Sequence, residues 1–91
     1  MGAYRIYFKK SVEKDFNRIP KKDLKRILDR IEKLTENPRP PDCEKLTGRE
    51  RYRVRQGPYR ILYSVQDNEL TVWVVKVAHR KDAYRYYRKR G

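Results

Sequence analysis

The sequence predicts an α+β fold of order β-α-α-β-β-β-(α), a twisted, mostly antiparallel sheet with two helices packed on one face. Three features carry that expectation. Apolar residues alternate with polar ones in several short runs, the period of half-buried strands. Residues 21–36 instead repeat their apolar positions at intervals of three and four, the period of a helix with one buried stripe. The helical stretches are followed by three strand-like runs in succession, which is the order of a layered α+β structure.

The first strand is expected over Ala3 to Lys9, with Tyr4, Ile6 and Phe8 on one face and Arg5 and Tyr7 on the other. Ser11 is placed to cap a short helix in which Val12, Phe16 and Ile19 recur at helical spacing. Pro20 then opens the next segment, where a missing backbone donor has no partner to lose. In the second helix, Lys21 to Glu36, the apolar stripe is Leu24, Ile27, Leu28, Ile31 and Leu34. Lys25, Asp29 and Lys33 follow one another at i,i+4 on its outer side, a mixture of signs that suits a solvated face better than a nucleic-acid-binding one. Asn37-Pro38 ends this helix, because the residue before proline avoids the helical region.

Pro38 to Gly48 is proline-rich and links the helical half to the strand half. Cys43 lies in it, with no neighbouring base to activate the thiol, so a passive role is expected. A hairpin follows: strands over Tyr52 to Gln56 and Tyr59 to Gln66, turning at Gln56-Gly57-Pro58. Alternation sets Arg53 and Arg55 on one face and Tyr52 and Val54 on the other, with Arg60 early in the second strand, beside the turn. After a turn at Asp67-Asn68, Leu70 to Ala78 is apolar on both faces for most of its length, as a central strand should be. The basic, tyrosine-rich stretch 79–90 is expected as a short terminal helix or ordered tail. The two helices should cover one face of the sheet, leaving a cation-lined face that carries Arg53, Arg55, Arg60 and the chain's end.

With 91 residues, the chain reads as one domain, 1–91, with one small core. Its 25 Lys and Arg against 12 Asp and Glu give a net charge of +13, which favours a polyanionic partner, nucleic acid first. A single cysteine excludes an intramolecular disulfide framework and a cysteine zinc cluster, and suits a reducing cytoplasm. No run approaches the roughly 20 apolar residues of a membrane span, so a soluble protein is expected. No P-loop, dinucleotide-binding glycine pattern or metal-ligand cluster is present, and no cofactor is expected. Arginine, tyrosine and one histidine remain as chemistry. Such a set can cleave RNA without metal: a 2′-hydroxyl attacks phosphorus, a base takes its proton, cations neutralise the developing charge and an acid protonates the leaving oxygen. Arginine fits the stabilising role and not that of the base, since its charge does not titrate usefully. Tyrosines can stack on unpaired bases. His79 can serve as acid or base, although a lone histidine at a strand end is more often structural.

Glu13-Lys-Asp-Phe16, the Asn-Pro after the second helix, Lys45-Leu-Thr-Gly48, Tyr52-Arg-Val-Arg55, Gly57-Pro-Tyr-Arg-Ile-Leu-Tyr63 and Val77-Ala-His-Arg80 with tyrosines behind it occur in an order and spacing that resemble the RelE family of mRNA interferases, within the wider RelE/ParE toxin superfamily. The resemblance covers nearly the whole chain. It implies a toxin of a toxin–antitoxin pair that enters the A site of the 30S ribosomal subunit, contacts rRNA through its basic face and cuts mRNA by metal-free 2′-hydroxyl attack. It also implies a RelB-like antitoxin whose acidic or amphipathic segment covers that face. By position, Arg53 and Arg55 fall where many relatives carry basic residues, often lysines, Arg60 falls at the arginine of Tyr-Arg-Ile-Leu-Tyr, and Arg80 at the arginine after the last strand. A catalytic tyrosine is expected a few residues beyond Arg80: Tyr86 fits best by spacing, Tyr84 also qualifies and Tyr87 is more remote. Arginine at 53 and 55 leaves the general base to Tyr86, His79 or solvent. Two other readings compete: a ParE-like toxin that inhibits DNA gyrase and cuts nothing, and a non-enzymatic RNA-binding domain such as a ribosomal protein.

Overall fold

The computed structural model describes residues 3–46 and 51–83. In chain order these form β1 (Arg5–Phe8), α1 (Val12–Asn17), α2 (Lys21–Lys33), β2 (Glu44–Lys45), β3 (Arg51–Gln56), β4 (Tyr59–Gln66), a 3₁₀ turn at Asp67–Glu69, and β5 (Thr71–His79). Residues 80–83 are helical. The α+β order is the one expected, with β2 added between α2 and β3. The five strands make one sheet in the order β1-β5-β4-β3-β2, in which only the β1–β5 pair is parallel. β5 therefore has a neighbour on each side, and both of its faces bury apolar side chains, Val72, Val74 and Val77 in one cluster and Val75 and Ala78 in another.

The main core lies between the helices and one sheet face. Val12, Ile19, Ile27, Ile31 and Leu34 from the helical half meet Tyr52, Val54, Ile61, Tyr63, Val65, Val72, Val74 and Val77 from the sheet. Two expectations are corrected here. Leu28 is 40% exposed and stands outside the stripe that the other α2 positions bury. Ser11 makes no side-chain capping bond: it already has helical backbone angles, and its carbonyl accepts the N–H groups of Lys14 and Asp15. Pro20 is the N-cap of α2, extended at ψ 143°, and its carbonyl receives the N–H groups of Asp23 and Leu24.

A smaller cluster, Leu62, Val75, Ala78 and Ala83 with Leu46 against it, occupies the opposite sheet face. A bulge creates it. The β4–β5 register passes from Leu62 opposite Lys76 to Tyr63 opposite Val74, so Val75 has no counterpart on β4. Beyond this bulge β1 has ended, its last bond being from Lys9 N–H to the Val74 carbonyl at 2.9 Å. The exposed edge of β5 is closed instead by α1: Asp15, 8% exposed, accepts the Val77 N–H and the Lys76 ammonium, each at 3.1 Å. A carboxylate here replaces the strand that would otherwise satisfy a buried backbone donor.

The proline-rich connector is tied to the sheet by polar contacts. The buried Tyr63 hydroxyl donates to the Pro38 carbonyl at 2.6 Å. Arg39 grips both oxygens of Asp67 at 3.0 and 2.8 Å, donates from Nε to the Tyr52 hydroxyl at 2.9 Å, and lies 5.1 Å from that ring's centroid. Tyr4 donates to the same carboxylate at 2.8 Å. These bonds fix where the connector leaves the helices and so deliver Glu44–Lys45 to the edge of β3.

Candidate functional site

The site is built on the β3–β4 hairpin. Its two-residue turn needs a positive φ at the first position, which Gly57 supplies at +59°. The register sets Arg53 opposite Leu62 and Arg55 opposite Arg60, and Arg60 opposite Ala78 on β5. Because Tyr52, Val54 and Ile61 face the helices, Arg53, Arg55 and Arg60 share the other face. Arg80 directly follows β5, and its N–H donates to the Pro58 carbonyl at 2.7 Å, which holds the start of the terminal helix against the hairpin turn. The structure thus brings together the four arginines that the sequence singles out.

Their charges act on one another. Burial first, then the fields of Arg55, Arg53 and Arg80, lowers the pKa of Arg60 from its ordinary value. Burial and then Arg55 lowers that of Arg53. Arg53 and Arg60 remain cations at neutral pH, so the result is a concentrated positive field and not a proton acceptor. Arg60 is oriented by bonds from Nη1 to the carbonyls of Tyr59, at 3.1 Å, and Gly57, at 3.3 Å. Arg53 forms an ion pair with Glu44, its Cα partner on β2. Such a group of guanidinium forks suits an anion with several equatorial oxygens, as a phosphodiester has.

Glu44 was not predicted as part of the site. A two-residue strand has no periodicity to reveal it, and the carboxylate becomes relevant only once β2 lies beside Arg53. His79 is placed differently from the arginines. Its partner on β4 is Tyr59, in the phase of the helix-facing residues, whereas Arg60 pairs with Ala78. The His79 ring meets the Tyr59 ring edge-on at 6.0 Å, and its Nδ1 accepts the Lys81 N–H at 3.4 Å. Tyr59 in turn reaches towards Asp23 of α2 at 3.5 Å, and burial, then Asp23, raises its phenol pKa. His79 therefore sits at the start of the terminal helix on the α2 side, and strand alternation separates it from the arginine face. Tyr84, Tyr86 and Tyr87 lie outside the described residues.

Comparison with known proteins agrees with this architecture. The family model described as the ParE toxin of the type II toxin–antitoxin system parDE matches residues 6–84. A Methanocaldococcus jannaschii chain that carries the name toxin RelE1 is 33% identical over 86 residues, covering 90% of this chain and 96% of its own. Toxin RelG of Mycobacterium tuberculosis is 29% identical over 86 residues, covering 90% of this chain and 97% of its own. Among solved structures, the archaeal RelE–RelB complex from Pyrococcus horikoshii contains a chain that superposes with a TM-score of 0.77 at 32% identity, covering 86% of this chain and 96% of that one. With one match spanning the sheet and both helices and a RelE1 relative aligned along nearly its whole length, the chain belongs to the RelE family of type II toxin–antitoxin toxins.

Proposed function

We propose that this toxin, as one domain spanning residues 1–91, is an endoribonuclease that enters the A site of the 30S subunit and cuts the mRNA codon there, stopping translation in the cytoplasm. The observation that carries this reading is the convergence of Arg53, Arg55 and Arg60 on one sheet face, with Arg80 held against the same turn. The 2′-oxygen forms a bond to phosphorus while the bond to the 5′-oxygen breaks. Arg53, Arg55 and Arg60 bind the phosphodiester and neutralise the charge that develops on its oxygens, and Arg80 stabilises the departing 5′-oxygen or assists its protonation. The cations needed for this step are the chain's own, so the reaction as proposed uses no metal or cofactor.

The proton of the 2′-hydroxyl needs a separate acceptor. Tyr86, the tyrosine that best fits the resemblance by spacing, or solvent can take it. The placement of His79 with Tyr59 argues against that residue. The carboxylate of Glu44 beside Arg53 is a further acceptor on the correct face. A RelB-like antitoxin, as in the RelE–RelB complexes of the structural relatives, would neutralise the toxin by laying an acidic segment over the arginines, and rRNA would meet the same basic face on the ribosome.

A second reading, a ParE-like gyrase inhibitor without nuclease activity, is favoured by the description of the matching family model. Toeprinting on mRNA-programmed ribosomes tests the two. Toxin-dependent truncation within the A-site codon supports the nuclease, while intact mRNA together with cleaved DNA trapped on gyrase supports the alternative.

A further inference from the structure

A second feature lies on the open sheet face, away from the arginine cluster. Tyr7 of β1 and Trp73 of β5 are Cα partners, and their rings stack at 5.1 Å between centroids with an interplanar angle of 28°. They remain 42% and 39% exposed. The register continues the row across the sheet: Trp73 pairs with Ser64 of β4, and Ser64 with Arg51 of β3. Arg5 pairs with Thr71 two residues earlier along β1, so strand alternation gives it the same face as Tyr7. Leu62 and the bulge residue Val75 lie between this row and the row of Arg55, Arg60 and Ala78.

Phe8 provides a contrast. It is similarly exposed, at 40%, but its ring packs edge-on against Phe16 of α1 on the helix side, so its contact belongs to the core. Tyr7 and Trp73 pack ring against ring, with Tyr7 on the edge strand of the sheet, and both stay partly exposed in a chain of net charge +13.

We propose that the Tyr7–Trp73 pair is a stacking platform for an unpaired RNA base, with Arg51 and Arg5 placed to meet the phosphates on either side. The proposal rests on the RNA-directed reading above and adds a contact outside the catalytic cluster. Every base has a π-face, so such a platform binds single strands with little regard to sequence and adds affinity that phosphate contacts alone do not supply. Flat rings bordered by a serine and arginines match a planar base with flanking phosphates. An aliphatic side chain of a protein partner would need a recess.

Trp73 is the chain's only tryptophan, so its emission reports on this site directly. The probe is a single-stranded 2′-O-methyl oligoribonucleotide, which cannot be cut by 2′-hydroxyl attack, compared with an abasic strand of the same length. The base-bearing strand should quench Trp73 and bind about tenfold more tightly than the abasic one. Tyr7→Leu should remove that difference while leaving abasic binding unchanged, which a misfolded variant would not do. Equal binding and equal quenching by the two strands overturns the proposal. So does a Trp73 response to an acidic amphipathic peptide and not to RNA, which would make the row a protein-docking surface. Cleavage of ribosome-bound mRNA without a Trp73 response sinks the platform alone. A Trp73 response without any cleavage sustains the platform and sinks the nuclease reading.

Discussion

Arg55 and Arg60 face each other as Cα partners across the β3–β4 hairpin, two cations side by side next to the turn. Like charges directly opposite weaken a sheet, so this pair is not explained by folding. Replacing Arg55 with threonine, a good strand former, should raise stability by about 0.5 kcal/mol at low salt. The gain should shrink as added salt screens the repulsion, while mRNA cleavage falls. Urea denaturation at two ionic strengths checks this, and a destabilised Arg55→Thr variant would show that the pair supports the fold.

Asp15 joins α1 to the end of β5 that leads to Arg80. Asp15→Ala should cost about 2 kcal/mol, because it leaves the Val77 N–H without its acceptor and Lys76 without its anion. Asp15→Asn, which keeps an acceptor oxygen, should cost about half as much. Hydrogen exchange read at the Val77 amide should quicken in the alanine variant. Unchanged protection there would mean that another group satisfies this donor.

Tyr63 gives a pH dependence with a defined sign. Burial first, then Cys43, pushes its phenol well above the ordinary value of 10.0, while its hydroxyl donates to the Pro38 carbonyl. The unfolded chain ionises near pH 10.0 and the folded chain only above it, so this contribution is complete below that pH and is lost as pH rises past it. Tyr63→Phe should lose about 1 kcal/mol at neutral pH and should show a shallower alkaline decline than the unaltered chain. Urea midpoints at about pH 8 and about pH 11 test both parts, and equally steep declines would assign the alkaline loss to other groups.

What could be read from the sequence followed from periodicity. The hairpin alternation placed Arg53, Arg55 and Arg60 on one face, and the α2 stripe identified Ile27, Ile31 and Leu34 as core. Features set by tertiary pairing were not legible. Leu28 has the right spacing for the stripe but lies at its margin, where the sheet does not reach. Val75 breaks the alternation of β5 because a bulge turns it towards Leu62 and Ala83. Glu44 acquires significance only when β2 pairs with β3, and His79 separates from Arg80 because they lie on either side of the strand's end. Asp15 reads as an ordinary charged residue of a short helix until the open edge of β5 gives it a donor to bind.

The arginine face is proposed to stabilise the transition state of RNA cleavage, and Arg60 is the residue on which that role turns. The direct measurement is the single-turnover rate of mRNA cleavage on programmed ribosomes saturated with the unaltered toxin or with Arg60→Ala. A fall of about 100- to 1,000-fold in that rate, with ribosome binding largely retained, is the predicted result. Cleavage by Arg60→Ala at the rate of the unaltered toxin, or no cleavage by either, would contradict it.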